Sequence, residues 1–266
     1  NLGSQENILA AKLEILEGMA PDAPLVINGE DRLLCAAAEK MDRPVIRCGF
    51  GEGHDVRARD IQMLGEAGST FTAVTAQDSF GIGLNAPGRH SIQNCLCALG
   101  AALCAGLTLP EAAQGLGNLA AAKMRLAVET TAFGTKIIND AYNASPDSVA
   151  AALSVLMGMD ARRRYAVLGD MYEMGEFAPK AHYETGKKVA ESGVDVLVAV
   201  GELSRHTARG ARDAGMDETY IFHCMKQTDG ITYLKTFVGS RDAVLVKGSR
   251  GMRMEKIVDA LVEYGK

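Results

Sequence analysis

A polar cluster ends one of the predicted strands in the second half of the chain. Asp140 follows the apolar pair 137–138, and Asn143 lies in the segment that leads to Pro146. An acidic residue at the end of a strand can accept hydrogen bonds from ribose hydroxyl groups, as it does in dinucleotide-binding folds. The same residue types also suit an ordinary junction between a loop and a helix, so both interpretations stay open.

Two carboxylates follow the next predicted strand, residues 165–168. Asp170 and Glu173 lie in a segment flanked by glycines, and they could bind a metal ion or a substrate ammonium group. The alternative is a solvated loop. His182 is predicted in the first turn of the following helix, where a lone histidine is more often a structural hydrogen-bonding group than a catalyst.

A third polar segment follows the predicted strand 244–246. Its residues 247–251 contribute two cations, Lys247 and Arg250, together with the hydroxyl group of Ser249 and two glycines. This composition before a helix favours an anion-binding site. The alternative is that the glycines only permit a tight turn between the strand and the helix.

Three further candidates lie in the first half of the chain. Asn94 is predicted one turn into the helix Ser91–Ala105, close to His90. Its amide both donates and accepts hydrogen bonds, so it can recognise the edge of a base, although a capped helix with a buried polar residue also fits. Lys12 lies in the predicted helix Ser4–Gly18, and its residue type alone predicts an ordinary solvated side chain.

Two phosphate-binding motifs are missing from the sequence. There is no G-x-x-x-x-G-K-[ST] sequence, and the nearest piece, residues 186–188, lies in a predicted helix and lacks the hydroxyl group. There is also no G-x-G-x-x-G sequence after a strand, because residues 81–83 are assigned to the segment after a hairpin region. A dinucleotide-dependent dehydrogenase is therefore disfavoured.

The elements that position these residues fall into two predicted domains, 1–122 and 123–266. In the first, short strands alternate with helices until residues 55–84, where the pattern predicts antiparallel hairpins. In the second, strands and helices alternate regularly, and continuous apolar strands such as Val194–Val200 predict a mostly parallel sheet covered on both faces. Ligands of such sheets bind beyond the carboxyl ends of the strands, where the polar segments lie.

Composition excludes several classes of protein. The chain has 266 residues, of which 47% are hydrophobic and 23% charged, so it has enough apolar surface to form a core. The formal net charge of −5 gives no basic surface for nucleic acid. No apolar run is long enough to span a membrane. The six cysteines lack the spacing of a zinc or thioredoxin motif, which predicts free thiols in a reducing cytoplasm.

Taken together, the motifs resemble the Mur ligase family, and within it the branch that adds D-alanyl-D-alanine. Their order and spacing match over essentially the whole chain. The resemblance implies an α/β fold, with a Rossmann-like C-terminal domain preceded by the second half of a central ATPase domain. The chain opens almost directly into a helix, and we expect a fragment that is inactive as a ligase by itself. The matching stretches are residues 6–15, 87–94, 140–148, 168–175 with His182, and 246–252.

The resemblance also implies an activity, with ATP and Mg²⁺ as cofactors. The family activates the carboxylate of a nucleotide-linked peptide as an acyl phosphate, which an amine then attacks to form an amide. In this branch the partners are UDP-N-acetylmuramoyl-tripeptide and D-Ala-D-Ala, and the product serves peptidoglycan synthesis. The implied protein is a monomeric cytoplasmic bacterial enzyme without a nucleic-acid partner or a membrane segment. Most of its catalytic demand is electrostatic.

Particular residues take implied roles from the same resemblance. Lys12 matches a lysine that carries a carbamate and holds Mg²⁺, and Arg125 matches an arginine that reaches the ATP phosphates. Asp140 matches the aspartate that binds the ribose. Implied contacts with adenine fall on His90 and Asn94. The cleft is implied to be lined by Asn143, which binds the nucleotide, and by three residues that bind substrate: Lys247, Ser249 and Arg250. Implied contacts with the dipeptide fall on Asp170, Glu173 and His182.

Other functions remain as alternatives to the ligase. A non-enzymatic nucleotide-binding module is consistent with the missing phosphate-loop sequence, and another Mur ligase branch is consistent with the shared motifs. The coding sequence upstream of Asn1 distinguishes the ligase from the module, because only the ligase requires a phosphate loop there. Titration with NAD tests the disfavoured dehydrogenase.

Overall fold

A computed structural model describes residues 4–117 and 124–265 of the chain. The chain divides into two compact units between residues 120 and 121. The boundary that the sequence predicts, between residues 122 and 123, lies outside the described residues. We refer to the units as the N-terminal and the C-terminal unit.

The N-terminal unit is built on a five-stranded sheet of order β1-β2-β3-β4-β5. The first three strands are parallel, and β3, β4 and β5 are antiparallel, which confirms the predicted hairpins. The elements are α1 (Gln5–Leu13), β1 (Leu25–Asn28), α2 (Arg32–Ala38), β2 (Val45–Gly49), β3 (Val56–Met63), β4 (Ser69–Val74), β5 (Ser79–Leu84), α3 (Arg89–Cys104) and α4 (Leu109–Gly117).

Strand β5 corrects the sequence-based assignment of residues 81–83. These residues lie inside β5 and not after the hairpin region. Ile82 and Leu84 are buried, whereas Gly81 and Gly83 are exposed, so the glycines occupy the solvent side of an edge strand. Glycine has low strand propensity, which explains why the pattern was not recognised as a strand.

Helix α3 forms the centre of the core of the N-terminal unit. Its residues Ile92, Leu96 and Leu99 are fully buried and pack against the sheet. Their spacing of three and four residues is the apolar stripe that a helix on a sheet requires. The opposite face of α3 is therefore available to present polar side chains.

The C-terminal unit is built on a six-stranded sheet of order β10-β9-β8-β11-β7-β6. All neighbours are parallel except β6 and β7, which form an antiparallel hairpin. The elements are β6 (Ala127–Thr130), β7 (Lys136–Asp140), α5 (Pro146–Met157), β8 (Arg164–Gly169), α6 (Ala178–Ser192), β9 (Val196–Val200), α7 (Ser204–Asp213), β10 (Ile221–Cys224), α8 (Gln227–Phe237), β11 (Ala243–Lys247) and α9 (Glu255–Tyr264).

Helices cover both faces of this sheet. Buried residues of α5, α6 and α7 form one apolar cluster with it, and residues of α8 and α9 form the other. Every residue of β9 and β11 is buried, which explains their continuous apolar sequences. The mostly parallel, Rossmann-like sheet predicted for this part of the chain is confirmed.

Helices α6 and α7 cross at two glycines. A Cβ atom on Gly186 would lie 2.0 Å from the backbone oxygen of Thr207, and one on Gly210 would lie 2.0 Å from that of Tyr183. Gly186 therefore serves close helix packing, and the 186–188 segment lies within a helix as predicted. Among the described residues, no helix has both the length and the apolar character that crossing a membrane requires.

Candidate functional site

An ion pair between Asp140 and Lys247 lies at the carboxyl edge of the C-terminal sheet. These residues end β7 and β11, and the parallel register places them side by side. The Nζ atom of Lys247 donates to Oδ2 of Asp140 at 2.5 Å and to the backbone oxygen of Asn143 at 2.9 Å. Only 3% of the lysine side chain and 12% of the aspartate side chain are exposed. Charges this far from water require pairing, so the two residues act as one unit.

The segment 124–126 packs on this edge of the sheet. The backbone N–H of Leu126 donates to Oδ1 of Asp140 at 3.2 Å, and that of Tyr142 donates to the backbone oxygen of Met124 at 3.2 Å. Met124 and Leu126 both have left-handed backbone, with φ values of 59° and 52°, which is uncommon for residues other than glycine. Between them, the exposed Arg125 places its guanidinium 4.5 Å from the ring centroid of Tyr142. Asp140 thus anchors the segment that carries Arg125.

The loop after β7 ends in a capping box. The hydroxyl group of Ser145 accepts from the backbone N–H of Ser148, whose own hydroxyl accepts from the N–H of Ser145. Asn143 is exposed, and its Oδ1 accepts from the N–H of Ala144 at 2.8 Å. The junction chemistry considered for this sequence is therefore present. The nucleotide-binding roles of Asp140 and Asn143 remain predictions.

Asp170 joins three loops at the same edge of the sheet. It is 4% exposed, and its Oδ1 accepts from both the N–H and the hydroxyl group of Ser204, each at 2.8 Å. Its backbone oxygen accepts from the N–H of Ser249 at 3.0 Å. The hydroxyl of Ser249, itself buried, accepts from the N–H of Tyr172 at 2.9 Å. The loops after β8, β9 and β11 are therefore connected by buried polar contacts.

His182 fixes the loop after β8 through two buried hydrogen bonds. It is fully buried; its Nε2 accepts from the N–H of Met171 at 2.9 Å, and its Nδ1 donates to the backbone oxygen of Ala178 at 2.7 Å. Burial lowers the pKa of His182, against smaller opposing effects from Ala178 and the charge of Asp170. Glu173 lies exposed in the turn Tyr172–Phe177. These contacts favour a structural role for the histidine and leave the carboxylate of Glu173 accessible to a ligand.

The glycine at position 248 is explained by packing. A Cβ atom there would lie 2.7 Å from Cγ of Met254 and 3.2 Å from the Cα atom of Gly169. Close packing therefore accounts for this glycine, whose φ value lies outside the left-handed region, and the tight-turn interpretation stays open. Arg250 is exposed, and its guanidinium donates to Oε1 of Glu255 at 3.0 Å. Anion binding by this loop stays a prediction.

The N-terminal unit carries His90 and Asn94 one turn apart on α3. Asn94 is exposed, and His90 is half-buried with its Nε2 3.4 Å from the hydroxyl group of Ser91. On the inner side of the helix, the amide of Gln93 donates to the backbone oxygen of Cys48 at 2.8 Å, which fixes α3 against β2. The exposed position of Asn94 excludes the alternative of a buried polar residue there and suits a contact with a ligand.

Lys12 lies exposed on α1. A carbamate on this lysine would supply oxygen atoms, which Mg²⁺ prefers. Among residues 4–117 and 124–265, no group of three or more histidine, cysteine, aspartate or glutamate side chains could hold a metal ion. The role of Lys12 as a Mg²⁺ ligand stays a prediction.

Three contributors to the site were not predicted from the sequence. They are the backbone N–H of Leu126, the ring of Tyr142 and the side chain of Ser204. Ser204 had a weak signal, because it is a hydroxyl residue at the start of a helix that follows a buried strand. A backbone amide and a ring beside a loop have no comparable sequence signal.

Comparison with family models divides the chain in the same way as the fold. Residues 1–102 match the Mur ligase middle domain, and residues 124–250 match the Mur ligase glutamate ligase domain. The chain is 33% identical over 264 residues to UDP-N-acetylmuramoyl-tripeptide–D-alanyl-D-alanine ligase of Bacillus subtilis, and 32% identical over 269 residues to that of Escherichia coli. These alignments cover 99% of this chain and 56% and 57% of the relatives, so the chain spans little more than half of their length.

Solved structures give the same assignment. The chain superposes on a crystal structure of MurF from Acinetobacter baumannii with a TM-score of 0.88 and 29% identity, which covers 98% of this chain and 56% of that one. MurF ligase from Thermotoga maritima, solved in complex with ADP, has the same fold, with a TM-score of 0.84 at 22% identity over 99% of this chain and 58% of that one. The chain belongs to the Mur ligase family.

Proposed function

We propose that this chain forms part of an ATP-dependent ligase that joins D-Ala-D-Ala to UDP-N-acetylmuramoyl-tripeptide. The observation that carries the proposal is its similarity, along 99% of its length, to ligases with this activity. The polar residues at the carboxyl edge of the C-terminal sheet support it, because they lie where parallel sheets bind ligands.

Asp140, at the carboxyl edge of the C-terminal sheet, is the residue assigned to the ribose of the nucleotide. Asp140 accepts hydrogen bonds from the ribose hydroxyl groups, with its carboxylate held by Lys247 and by the N–H of Leu126. His90 and Asn94 contact the adenine base from α3. Arg125, exposed beside the loop after β7, contributes positive charge toward the phosphates.

Electrostatic neutralisation carries most of the catalytic demand. When bound, Mg²⁺ neutralises phosphate oxygens and the charge that develops during phosphoryl transfer. Lys12, as a carbamate, is the residue of this chain that would hold it. Arg125 adds a second positive charge at the phosphates, which favours formation of the acyl phosphate.

The acceptor dipeptide binds at the connected loops after β8 and β11. Glu173 offers an exposed carboxylate to the ammonium group, and Arg250 offers an exposed cation to the carboxylate. Asp170, His182 and Ser249 hold these loops in place through their buried contacts. The dipeptide amine then attacks the acyl phosphate, and phosphate leaves as the amide forms.

We place the reaction in the cytoplasm, where ATP is available. All six cysteines are free, which agrees with a reducing compartment.

The test uses the product of the complete open reading frame that encodes this chain. Phosphate release is measured with ATP, Mg²⁺, UDP-N-acetylmuramoyl-tripeptide and D-Ala-D-Ala, and the ligated product is identified by mass spectrometry. We expect release that depends on both the tripeptide and the dipeptide. A reaction that instead prefers alanine or 2,6-diaminopimelate as the acceptor would assign the protein to another branch of the family. Nucleotide binding without any ligation would favour the non-enzymatic module.

A further inference from the structure

Lys247 is a buried cation with a fixed set of partners. It lies between β8 and β7 at the end of β11, and 3% of its side chain is exposed. Two of its ammonium hydrogens are directed to Asp140 and to the backbone oxygen of Asn143. A side chain that is buried and committed in this way is poorly placed to contact a substrate, which was the role the resemblance implied.

The contacts of Lys247 determine the orientation of Asp140. Its Nζ atom binds Oδ2 while the N–H of Leu126 binds Oδ1, so both carboxylate oxygens have a fixed partner. An aspartate carboxylate rotates freely about its last bond unless such contacts hold it. The bond from Lys247 to Asn143 also ties the loop after β7 to β11. Removing the ammonium group would remove both the contact that holds Oδ2 of Asp140 and the contact that ties this loop to β11.

We propose that Lys247 is a positioning residue for the nucleotide, acting through Asp140 on the hydrogen bonds to the ribose. The inference deepens the proposed function and rests on its assignment of the ribose to Asp140. It replaces direct substrate binding by Lys247 with an indirect role. A hydrogen bond to a charged group that is lost or misaligned weakens binding about tenfold or more.

The experiment compares ADP with 2′,3′-dideoxy-ADP by calorimetric titration of the complete open-reading-frame product. The wild-type protein is expected to bind ADP about tenfold more tightly or better, because only ADP offers hydroxyl groups to Asp140. Lys247→Met retains the length and packing of the side chain but removes its charge and donors. This variant is expected to bind the two nucleotides with nearly equal affinity, and Asp140→Asn is expected to do the same.

Two further variants separate positioning from other effects. The double variant Lys247→Met/Asp140→Asn is expected to be no worse than either single variant, because both act through one contact. Lys188→Met removes an exposed lysine of α6 and is expected to keep the wild-type ratio. If Lys247→Met does not fold by circular dichroism, Lys247→Gln replaces it. That side chain still donates hydrogen bonds but carries no charge, and an intermediate ratio is expected.

Several outcomes would overturn the inference. They are a wild-type protein that does not distinguish the two nucleotides, a Lys247 variant that keeps the wild-type ratio, and a Lys247 variant whose only defect is a higher KM for the dipeptide. The binding ratio is independent of turnover. Absence of ligation by the wild-type protein would therefore contradict the proposed function, while the ratio would still decide the role of Lys247.

Discussion

The Nε2 atom of His182 accepts a hydrogen bond of 2.9 Å from the backbone N–H of Met171. On the other side of the ring, Nδ1 donates to the backbone oxygen of Ala178 at 2.7 Å. Only the neutral imidazole with its proton on Nδ1 satisfies both partners, because a protonated Nε2 could not accept. The loop that follows β8 is therefore held in place by a histidine that must stay uncharged.

We expect the free energy of unfolding to fall as the pH is lowered below about 6.5. Burial lowers the pKa of His182 in the folded protein, so the unfolded chain takes up a proton at the ordinary pKa of about 6.5 before the folded chain does. The stabilisation is complete above pH 6.5 and is lost as the pH falls toward the folded pKa. One such group contributes a slope of up to about 1.4 kcal/mol per pH unit.

Urea denaturation of this chain at pH 7.5, 6.5 and 5.5 measures this slope. His182→Asn cannot titrate, and its slope is expected to be smaller than that of the wild-type chain. The pKa of His206 is also lowered, by burial and by Arg205 and Arg209, and it supplies a residual slope to both proteins. Equal slopes would show that His182 does not contribute.

Gly210→Ala is expected to destabilise the C-terminal unit by more than about 2 kcal/mol. The added Cβ atom would lie 2.0 Å from the backbone oxygen of Tyr183, and α6 and α7 would have to separate. The matched control is Gly115→Ala in α4, where no atom lies within 4 Å of the added Cβ. Alanine there improves helix propensity and is expected to stabilise by about 0.5–1 kcal/mol. Thermal unfolding of both variants gives the comparison, and similar effects would contradict the packing argument.

Local patterns in the sequence were sufficient to predict most helices and strands. The buried strands β9 and β11 are continuous apolar runs, and α5 begins at a Ser-Pro dipeptide. Each of these three signals is contained within a few residues of the sequence. The prediction of short or glycine-rich elements was less accurate. The glycine-containing strand β5, for example, is not predicted as a strand.

The contacts of the candidate site could not be predicted in the same way. Because parallel strands end at one edge, the sequence indicated that Asp140, Asp170 and Lys247 would share that edge. It did not indicate that β11 lies between β7 and β8, because this order depends on strands about a hundred residues apart. The ion pair between Lys247 and Asp140 follows from that order.

Cys97 is expected to react with iodoacetamide at unusually low pH. A hydrogen bond with the thiol of Cys48 lowers the pKa of Cys97 to about 7; burial opposes this effect, and the amide of Gln93, 3.6 Å from the sulfur, adds to it. The thiolate is the reactive form, so a lowered pKa moves the reaction to lower pH. Alkylation of this cysteine, measured by peptide mass spectrometry between pH 5 and 9, is expected to reach half of its maximal rate near pH 7.

The hydrogen bond between the two cysteines can be tested separately. Cys48→Ala removes its thiol, so the Cys97 profile is expected to move to higher pH. Cys95→Ala is the matched control, because Cys95 lies on the same helix and burial raises its pKa to about 12. This variant is expected to leave the Cys97 profile unchanged. A wild-type midpoint near the ordinary thiol value of about 8.5 would contradict the prediction.

Lys12→Ala is expected to reduce ligase activity of the complete open-reading-frame product at least tenfold without changing its thermal stability. Lys12 is exposed on α1, so its loss is expected to affect the chemistry and not the fold. If a carbamate on this lysine holds Mg²⁺, formate or acetate at millimolar concentration supplies similar oxygen atoms and is expected to restore part of the activity. Lys40→Ala, at another exposed lysine of the N-terminal unit, is the control and is expected to retain activity with no response to these anions. Full activity of Lys12→Ala would identify Lys12 as an ordinary solvated side chain, and a loss of activity that neither anion relieves would argue against the carbamate.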